Sequence, residues 1–183
     1  LPAQRMNEVV QQVEQEGVVA CPAEAVWGLT CDPLSEDAVL QLLAMKHRPI
    51  SKGLIIVAAS SAMLGPLLKP LDSAQRNELE LSWPGPNTWL VPNRGLYPDW
   101  ITGASDEIAI RVTSAPALAL LSYRLGRPVV STSANPAGAQ PARHSFQVVR
   151  YFGRGLVRAP GVVDLEASPS TIRRVGTGEV LRA

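Results

Sequence analysis

Apolar residues recur along this chain with two periods, near 3.6 and near 2, and the changes from one to the other mark its elements. Met6, Val9, Val10 and Val13 fall at i, i+3, i+4 and i+7, which predicts an amphipathic helix over 4–16 closed by Gly17. A strand follows at 18–21, stopped by Pro22, and 23–29 reads as a turn that re-enters extended structure. Ser35, Glu36 and Asp37 cap and charge the start of a second helix, which Val39, Leu42, Leu43 and Met45 carry to about His47 before Arg48-Pro49 ends it. The unbroken apolar run 54–59 predicts a strand buried on both faces. A short helix at 60–68 and a more polar one at 73–81 precede the loop Trp83-Pro84-Gly85-Pro86-Asn87-Thr88. Strand resumes at 88–91 and, after an irregular stretch around Tyr97, Pro98 and Trp100, again at 107–112. Helix 116–125, closed by Gly126, leads to a strand at Val129 and Val130; beyond come a helix at 145–152, a strand near Leu156 and a hairpin over 171–181 around Gly176-Thr177-Gly178.

Strands separated by helices predict one α/β domain over 1–183: an open, twisted, mixed or parallel sheet with flanking helices around a basic cavity. The segment Pro128-Val129-Val130-Ser131-Thr132-Ser133-Ala134-Asn135 is its focus. A buried strand after a crossover helix favours parallel pairing, and ligands of open α/β sheets sit beyond strand carboxyl ends. There this strand offers three hydroxyls and an amide, which can grip a polar ligand or simply satisfy a turn.

At 183 residues a chain can bury roughly 70% of its unfolded surface. With 46% apolar and 18% charged residues and no membrane-length apolar run, it reads as a globular protein without a membrane span. The start, Leu1-Pro2-Ala3-Gln4-Arg5, lacks a signal-peptide pattern, which with two unstapled cysteines points to the cytoplasm, and a first residue of Leu suggests that at least one residue is missing. Neither Cys21 nor Cys31 is followed by Cys or His at metal spacing, and His47 and His144 stand alone, so no metal site is assigned. There is no Walker loop and no strand-borne G-x-G-x-x-G.

The net charge is only +1, but it is unevenly spread. Residues 1–37 hold seven acids and one base; 38–71 hold four bases and no acid; 108–163 hold seven arginines and no acid. If the basic blocks converge, they form a face or cavity suited to phosphates or RNA.

Lys46-His47-Arg48 and Lys52 set three cations at a helix end and in the loop leaving it, which suits a polyphosphate, although the helix dipole alone accounts for Lys46. Arg111, near a strand end, can clamp a carboxylate or pair with Glu107 or Asp106. Glu24 can hold a substrate amine or a metal. No Ser-His-Asp or Cys-His spacing is present, so the chain offers positioning and charge in place of a nucleophile.

Cys21-Pro22-Ala23-Glu24-Ala25-Val26-Trp27-Gly28-Leu29, Lys46-His47-Arg48-Pro49, Lys52-Gly53-Leu54, Trp83 to Thr88, Arg111-Val112, Ser131 to Asn135 and Ser170-Thr171-Ile172 together resemble the YrdC family in its short bacterial form. The set runs in order along nearly the whole chain, and its Lys-x-Arg and Ser-x-Asn members are its most specific. The resemblance implies an ATP-dependent enzyme that joins L-threonine and bicarbonate or CO2 into threonylcarbamoyl adenylate, releasing pyrophosphate. The product would pass to transferase proteins that modify adenosine 37 of tRNA. It further implies Mg2+ carried on the ATP phosphates, and leaves direct tRNA binding open.

By position, Lys46, Arg48 and Lys52 would meet the ATP phosphates, with Arg143 and Arg182 on the nucleotide. Ser133 and Asn135 would line the threonine and nucleotide sites, and with Lys46 and Arg48 would carry the reaction. Arg111 would take the threonine carboxylate, with Thr171 or Ser170 and Glu24 also on the amino acid. Two positions depart from the family pattern: Ala23 stands where Thr is usual and Cys21 where Tyr is common, which removes a hydroxyl near the threonine. The extra C-terminal domain of long members is missing, so any lid must come from the chain's own loops. Two other readings stand beside this one. The first is a non-catalytic module binding double-stranded RNA or tRNA, or assisting ribosome assembly; the second is carbamoyl-adenylate chemistry like that of hydrogenase-maturation domains.

Overall fold

The structure, a computed structural model, describes residues 2–182. Its elements are α1 (Ala3–Glu14), β1 (Val19–Pro22), β2 (Trp27–Thr30), α2 (Glu36–Lys46), β3 (Ile55–Ala58), α3 (Gly65–Leu68), α4 (Ser73–Ser82), β4 (Asn87–Pro92) and α5 (Asp99–Thr102). They continue with β5 (Glu107–Val112), α6 (Pro116–Leu125), β6 (Val129–Ser133), α7 (Ser145–Phe152), β7 (Thr171–Arg174) and β8 (Val180–Arg182). The strands form one sheet in the order β1-β2-β6-β3-β5-β4-β7-β8. No helix among the described residues is long and apolar enough to cross a membrane.

The sheet buries its two faces differently. Ile56 of β3, Ile110 of β5, Trp89 of β4 and Val130 of β6 point to the larger core, with Leu42 of α2, Leu79 of α4 and Val148 of α7. The opposite face carries a smaller core in which Val57 and Val129 meet Met6 and Val9 of α1 and Leu118 and Leu121 of α6. That second layer covers only part of its face. Two residues along the same strands, where side chains return to the same side, Ile55 and Ser131, and Ser133 two residues further on, line open space instead.

Local signals explain most boundaries. Ser35 caps α2 by accepting from the Ala38 N–H at 3.3 Å, and His47 ends it in the left-handed region at φ 50°. Asp72 and Gln75 form a reciprocal capping box on α4. The loop after α4 braces itself: Trp83 Nε1 donates to the Asn87 carbonyl at 2.7 Å and Asn87 Nδ2 to the Ser82 carbonyl at 3.1 Å.

The open α/β sheet with flanking helices is the expected one, in its mixed form, and the structure corrects four details within it. First, β6 was expected to pair in parallel but runs antiparallel to both β2 and β3; of the strand pairs, β3·β5 and β4·β7 are parallel. An unbroken apolar run requires cover on both faces, and strands of either direction meet that requirement, so 54–59 carried no information on direction. Second, the open space lies over the face of the sheet and not beyond the carboxyl ends of its strands. Third, no strand forms near Leu156; 157–159 runs beside β1 with a single bridge, Ala20 to Arg158. Fourth, 60–68 is a 3-10 turn (Ser61–Leu64) running into α3, and the irregular stretch before β5 contains α5.

Candidate active site

The uncovered half of the sheet face forms the floor of a cavity of about 620 Å³. Gly28, Ser131, Ser133, Ile55, Ala109 and Arg111 lie along that floor, with the β1–β2 turn, the 48–54 loop and Ser170 around it. Gly28 is a requirement of packing: a Cβ there would stand 3.1 Å from Ser131 Oγ and 3.2 Å from the Thr132 carbonyl.

On one side sits a nearly buried ion pair. Arg111, 7% exposed, has a guanidinium nitrogen 3.3 Å from Glu24 Oε2. The other oxygen of Glu24 accepts from the Thr113 hydroxyl at 2.7 Å and the Ser114 N–H at 3.2 Å. Glu24 thus joins the β1–β2 turn to the end of β5 and fixes the direction of Arg111. Of the two readings of Arg111, a carboxylate clamp or a pair with Glu107 or Asp106, the second does not anticipate Glu24, and Glu107 binds Arg174 at 3.0 Å. Residues consecutive on a strand point to opposite faces or along the same edge, whereas Glu24 arrives from a distant turn that spacing cannot reveal.

On the other side the 48–54 loop presents Arg48 and Lys52. Arg48 donates to the carbonyls of Lys52 and Gly53 at 3.3 and 3.0 Å, which closes the loop on itself. The loop is pinned to α5 through Leu54 N–H on the Ile101 carbonyl at 2.8 Å. At Gly53, where φ is 61°, a Cβ would stand 3.2 Å from the Thr102 carbonyl, so a side chain there would loosen this contact.

Lys46, only 4% exposed, sits behind this wall and is not among the residues lining it. Its ammonium donates to the carbonyl of Ser133 and, at 2.9 Å, to that of Asn135. Its own carbonyl accepts from Ala137 N–H at 2.8 Å. Burial, and secondarily the charge of Arg48, pull its pKa down from 10.5 to about 8. Lys46 therefore holds the exit of β6, and with it Ser133, against the end of α2.

The remaining expected residues divide. Asn135 directs its amide N–H groups to Pro136 and Ala139 carbonyls at 3.1 and 2.9 Å and lies outside the lining. Arg143 is exposed and donates to the Leu165 carbonyl, away from the cavity wall. Of the pair Ser170 and Thr171, Ser170 is the one on the wall, where its Oγ accepts from Thr88 Oγ1 at 3.1 Å. Arg182 pairs through its backbone with Ile172; its side chain lies outside the described residues, as does Leu1. Gly28 and Glu107 line the cavity without having been singled out as ligand-binding residues, whereas Ser131 is one of the three hydroxyls read from the strand end, and its alternation with Ser133 puts both on the floor.

The basic blocks converge only in part. Arg111 and Arg127 pair with Glu24 and Asp32 from the acidic N-terminal block, and Arg124 donates to Asn7 at 2.7 Å. Among the described residues no group of three His, Cys, Asp or Glu is placed to hold a metal ion.

A family model named Sua5_yciO_yrdC and described as Telomere recombination matches residues 11–183. The chain belongs to the Sua5/YciO/YrdC family. Within it, the chain is 50% identical over 179 residues to a threonylcarbamoyl-AMP synthase of Cellvibrio japonicus, covering 97% of this chain and 95% of the relative. It is 48% identical to the protein of that name from Stutzerimonas stutzeri, covering 97% and 96%. Among solved structures, P. abyssi Sua5 complexed with L-threonine superposes with a TM-score of 0.82 at 28% identity, over 93% of this chain and 50% of that one. The chain thus spans about half of that longer Sua5 chain. E. coli YciO shares the fold, with a TM-score of 0.85 at 21% identity over 100% of this chain and 90% of that one.

Proposed function

We propose that this chain condenses L-threonine, CO2 from bicarbonate, and ATP into L-threonylcarbamoyl adenylate, releasing pyrophosphate. The observation that carries the reading is the arrangement of the cavity: a guanidinium directed by Glu24 on one side, Arg48 and Lys52 on the other, and the hydroxyls of Ser131 and Ser133 on the floor between them. The near full-length identity to proteins named threonylcarbamoyl-AMP synthase supports it.

In this reading Arg111 takes the threonine carboxylate, and Ser133 and Ser170 orient the rest of the amino acid. The threonine nitrogen attacks CO2 and loses a proton, giving a carbamate. A carbamate oxygen then attacks the α-phosphorus as the bond from that phosphorus to the bridging oxygen breaks and pyrophosphate leaves with the bond's electron pair. Arg48 and Lys52 neutralise the charge that moves onto the leaving group. Alignment supplies much of the remainder, since two-substrate reactions gain most from fixed geometry. Lys46 serves through the loop it holds, with Asn135 in that loop.

Mg2+ fits as part of the substrate. The two carboxylates of the wall are occupied by Arg111 and Arg174, so the ion would be held by phosphate oxygens and would add charge neutralisation there. The product is a mixed anhydride, and the reaction class that consumes it is carbamoyl transfer to an amine; we assign that step to separate transferase proteins acting on tRNA. An RNA-binding module without catalysis fits less well, because Arg111 and Arg127 are already paired with carboxylates inside the fold.

Incubation with ATP, L-threonine and 13C-bicarbonate tests the reading by mass spectrometry. The expected product is a threonylcarbamoyl adenylate one mass unit heavier than that from unlabelled bicarbonate. An adenylate without the label, or one formed equally well without threonine, overturns it, and the second outcome moves the assignment to another carbamoyl-adenylate chemistry.

A further inference from the structure

The carboxylate of Glu24 is shared by two side chains from one strand end. Arg111 and Thr113 stand at and just beyond the end of β5, two residues apart, a spacing that returns side chains to the same side. Each takes one oxygen: the Arg111 guanidinium lies 3.3 Å from Oε2, and the Thr113 hydroxyl donates to Oε1 at 2.7 Å. Thr113 is 2% exposed and is itself held at two points. Its backbone N–H donates to the Ala58 carbonyl of β3 at 3.1 Å, and its Oγ1 accepts from the Ala115 N–H, just before α6, at 3.1 Å.

The bond from Ala115 decides the direction of the bond to Glu24. A hydroxyl has a single hydrogen, and with the Ala115 N–H aimed at its oxygen that hydrogen goes to the carboxylate. The polarity therefore runs one way, from Ala115 N–H to Thr113 Oγ1 and from Thr113 O–H to Glu24 Oε1, with Arg111 on the opposite oxygen. Hydrogen bonds aligned head to tail strengthen one another. The other donor to Oε1, the Ser114 N–H at 3.2 Å, belongs to an exposed residue, so the buried hydroxyl is the partner that water does not replace.

We propose that Thr113 is a positioning residue for the amino-acid substrate, a role that rests on the proposed function: through Glu24 it sets the direction in which Arg111 meets the threonine carboxylate. Thr113 is absent from the cavity wall, so its hydroxyl acts on the site through Glu24 and not by contact with substrate. The carboxylate takes no part in the bonds that form and break. Arg111 therefore holds it alike before and during the reaction, and a misdirected guanidinium raises the KM for threonine with little change in kcat. ATP, which in that function meets Arg48 and Lys52 across the cavity, is left undisturbed.

Pyrophosphate release is measured with threonine and ATP varied in turn for the natural chain, Thr113→Val, Thr113→Ser, Glu24→Gln and the double variant of Glu24→Gln with Thr113→Val, each rate taken per folded molecule. Thr113→Val, close in shape but without the hydroxyl, is expected to raise the KM for threonine about tenfold, the worth of one hydrogen bond to a charged group, with kcat and the KM for ATP within about threefold. Thr113→Ser keeps the hydroxyl and is expected to hold the threonine KM within about threefold of the natural value. In the Glu24→Gln chain, where the charge that directs Arg111 is already gone, Thr113→Val is expected to add less than about twofold. An unchanged threonine KM in folded Thr113→Val overturns the inference; so does an equal rise in both KM values, a loss with Thr113→Ser as large as with Thr113→Val, or the full effect reappearing in the Glu24→Gln chain. If Thr113→Val does not fold, Thr113→Ala takes its place, and failure of both to fold makes the hydroxyl structural and also overturns it. In all these cases threonine-dependent release by the natural chain leaves the proposed function standing. No release by the natural chain with threonine, bicarbonate and ATP overturns the function and the inference together.

Discussion

One face of the sheet is put to two uses. At one end of β3 and β6, Val57 and Val129 are sealed under α1 and α6; at the other, Ile55, Ser131 and Ser133 floor the cavity. Two residues of strand separate the uses. The sealed half is held by burial without direction, so many residue combinations would serve it. The open half is held by specific partners: Glu24 on Arg111, Arg48 on its own loop, and Lys46 on the exit of β6. Damage to the first half should therefore appear as lost stability and damage to the second as lost chemistry.

Arg111→Ala gives the largest effect. Removing one member of a nearly buried pair costs about 3–5 kcal/mol, and under the proposed function it also removes the group that takes the threonine carboxylate. We expect kcat/KM for threonine to fall at least about 100-fold, in line with two or more lost charge-assisted hydrogen bonds. Pyrophosphate release corrected for the folded fraction checks it; a corrected rate within a few-fold of the natural chain would remove Arg111 from the site.

Leu118→Ala is the converse change in the sealed half, at a fully buried position. The expected cost is about 2–5 kcal/mol in a denaturant melt, with turnover per folded molecule unchanged. A turnover loss as large as that of Arg111→Ala would show that the two halves are not separable.

Lys46 gives the smallest effect and sharpens the boundary. Its pKa is lowered from 10.5 to about 8 in the folded protein, so between those values the unfolded chain binds the additional proton. Stability contributed through this group is then lowest below about pH 8 and rises with pH across the window. Relative to Lys46→Met, the natural chain should gain on the order of 1 kcal/mol per pH unit there. Parallel stability curves for the two proteins from pH 8 to 10 would contradict the buried, carbonyl-bound ammonium.

The same contrast explains what the sequence made legible. α1 could be read from Met6, Val9, Val10 and Val13 because burial leaves a period, and α2 from Ser35 because a cap leaves a residue type in a fixed place. Strand direction left no such trace in 54–59, which is why the sheet could be expected only as mixed or parallel and the antiparallel pairing of β3 with β6 was not foreseen. In the site, Arg48, Lys52, Ser133 and Arg111 could be placed from the family resemblance, and the cavity brings them together. The Glu24–Arg111 pair spans 87 residues of chain, and a contact over that separation has no local signature. Lys46 shows the opposite difficulty: a lysine beside an arginine suggested two phosphate ligands, and only the fold shows that two backbone carbonyls hold one of them.

The central claim is that the open half assembles three substrates for one displacement. Pyrophosphate release from ATP, with threonine and bicarbonate omitted in turn, tests it most directly. Release is expected only when both are present. Equal release with either one omitted, from protein shown to be folded, would contradict it.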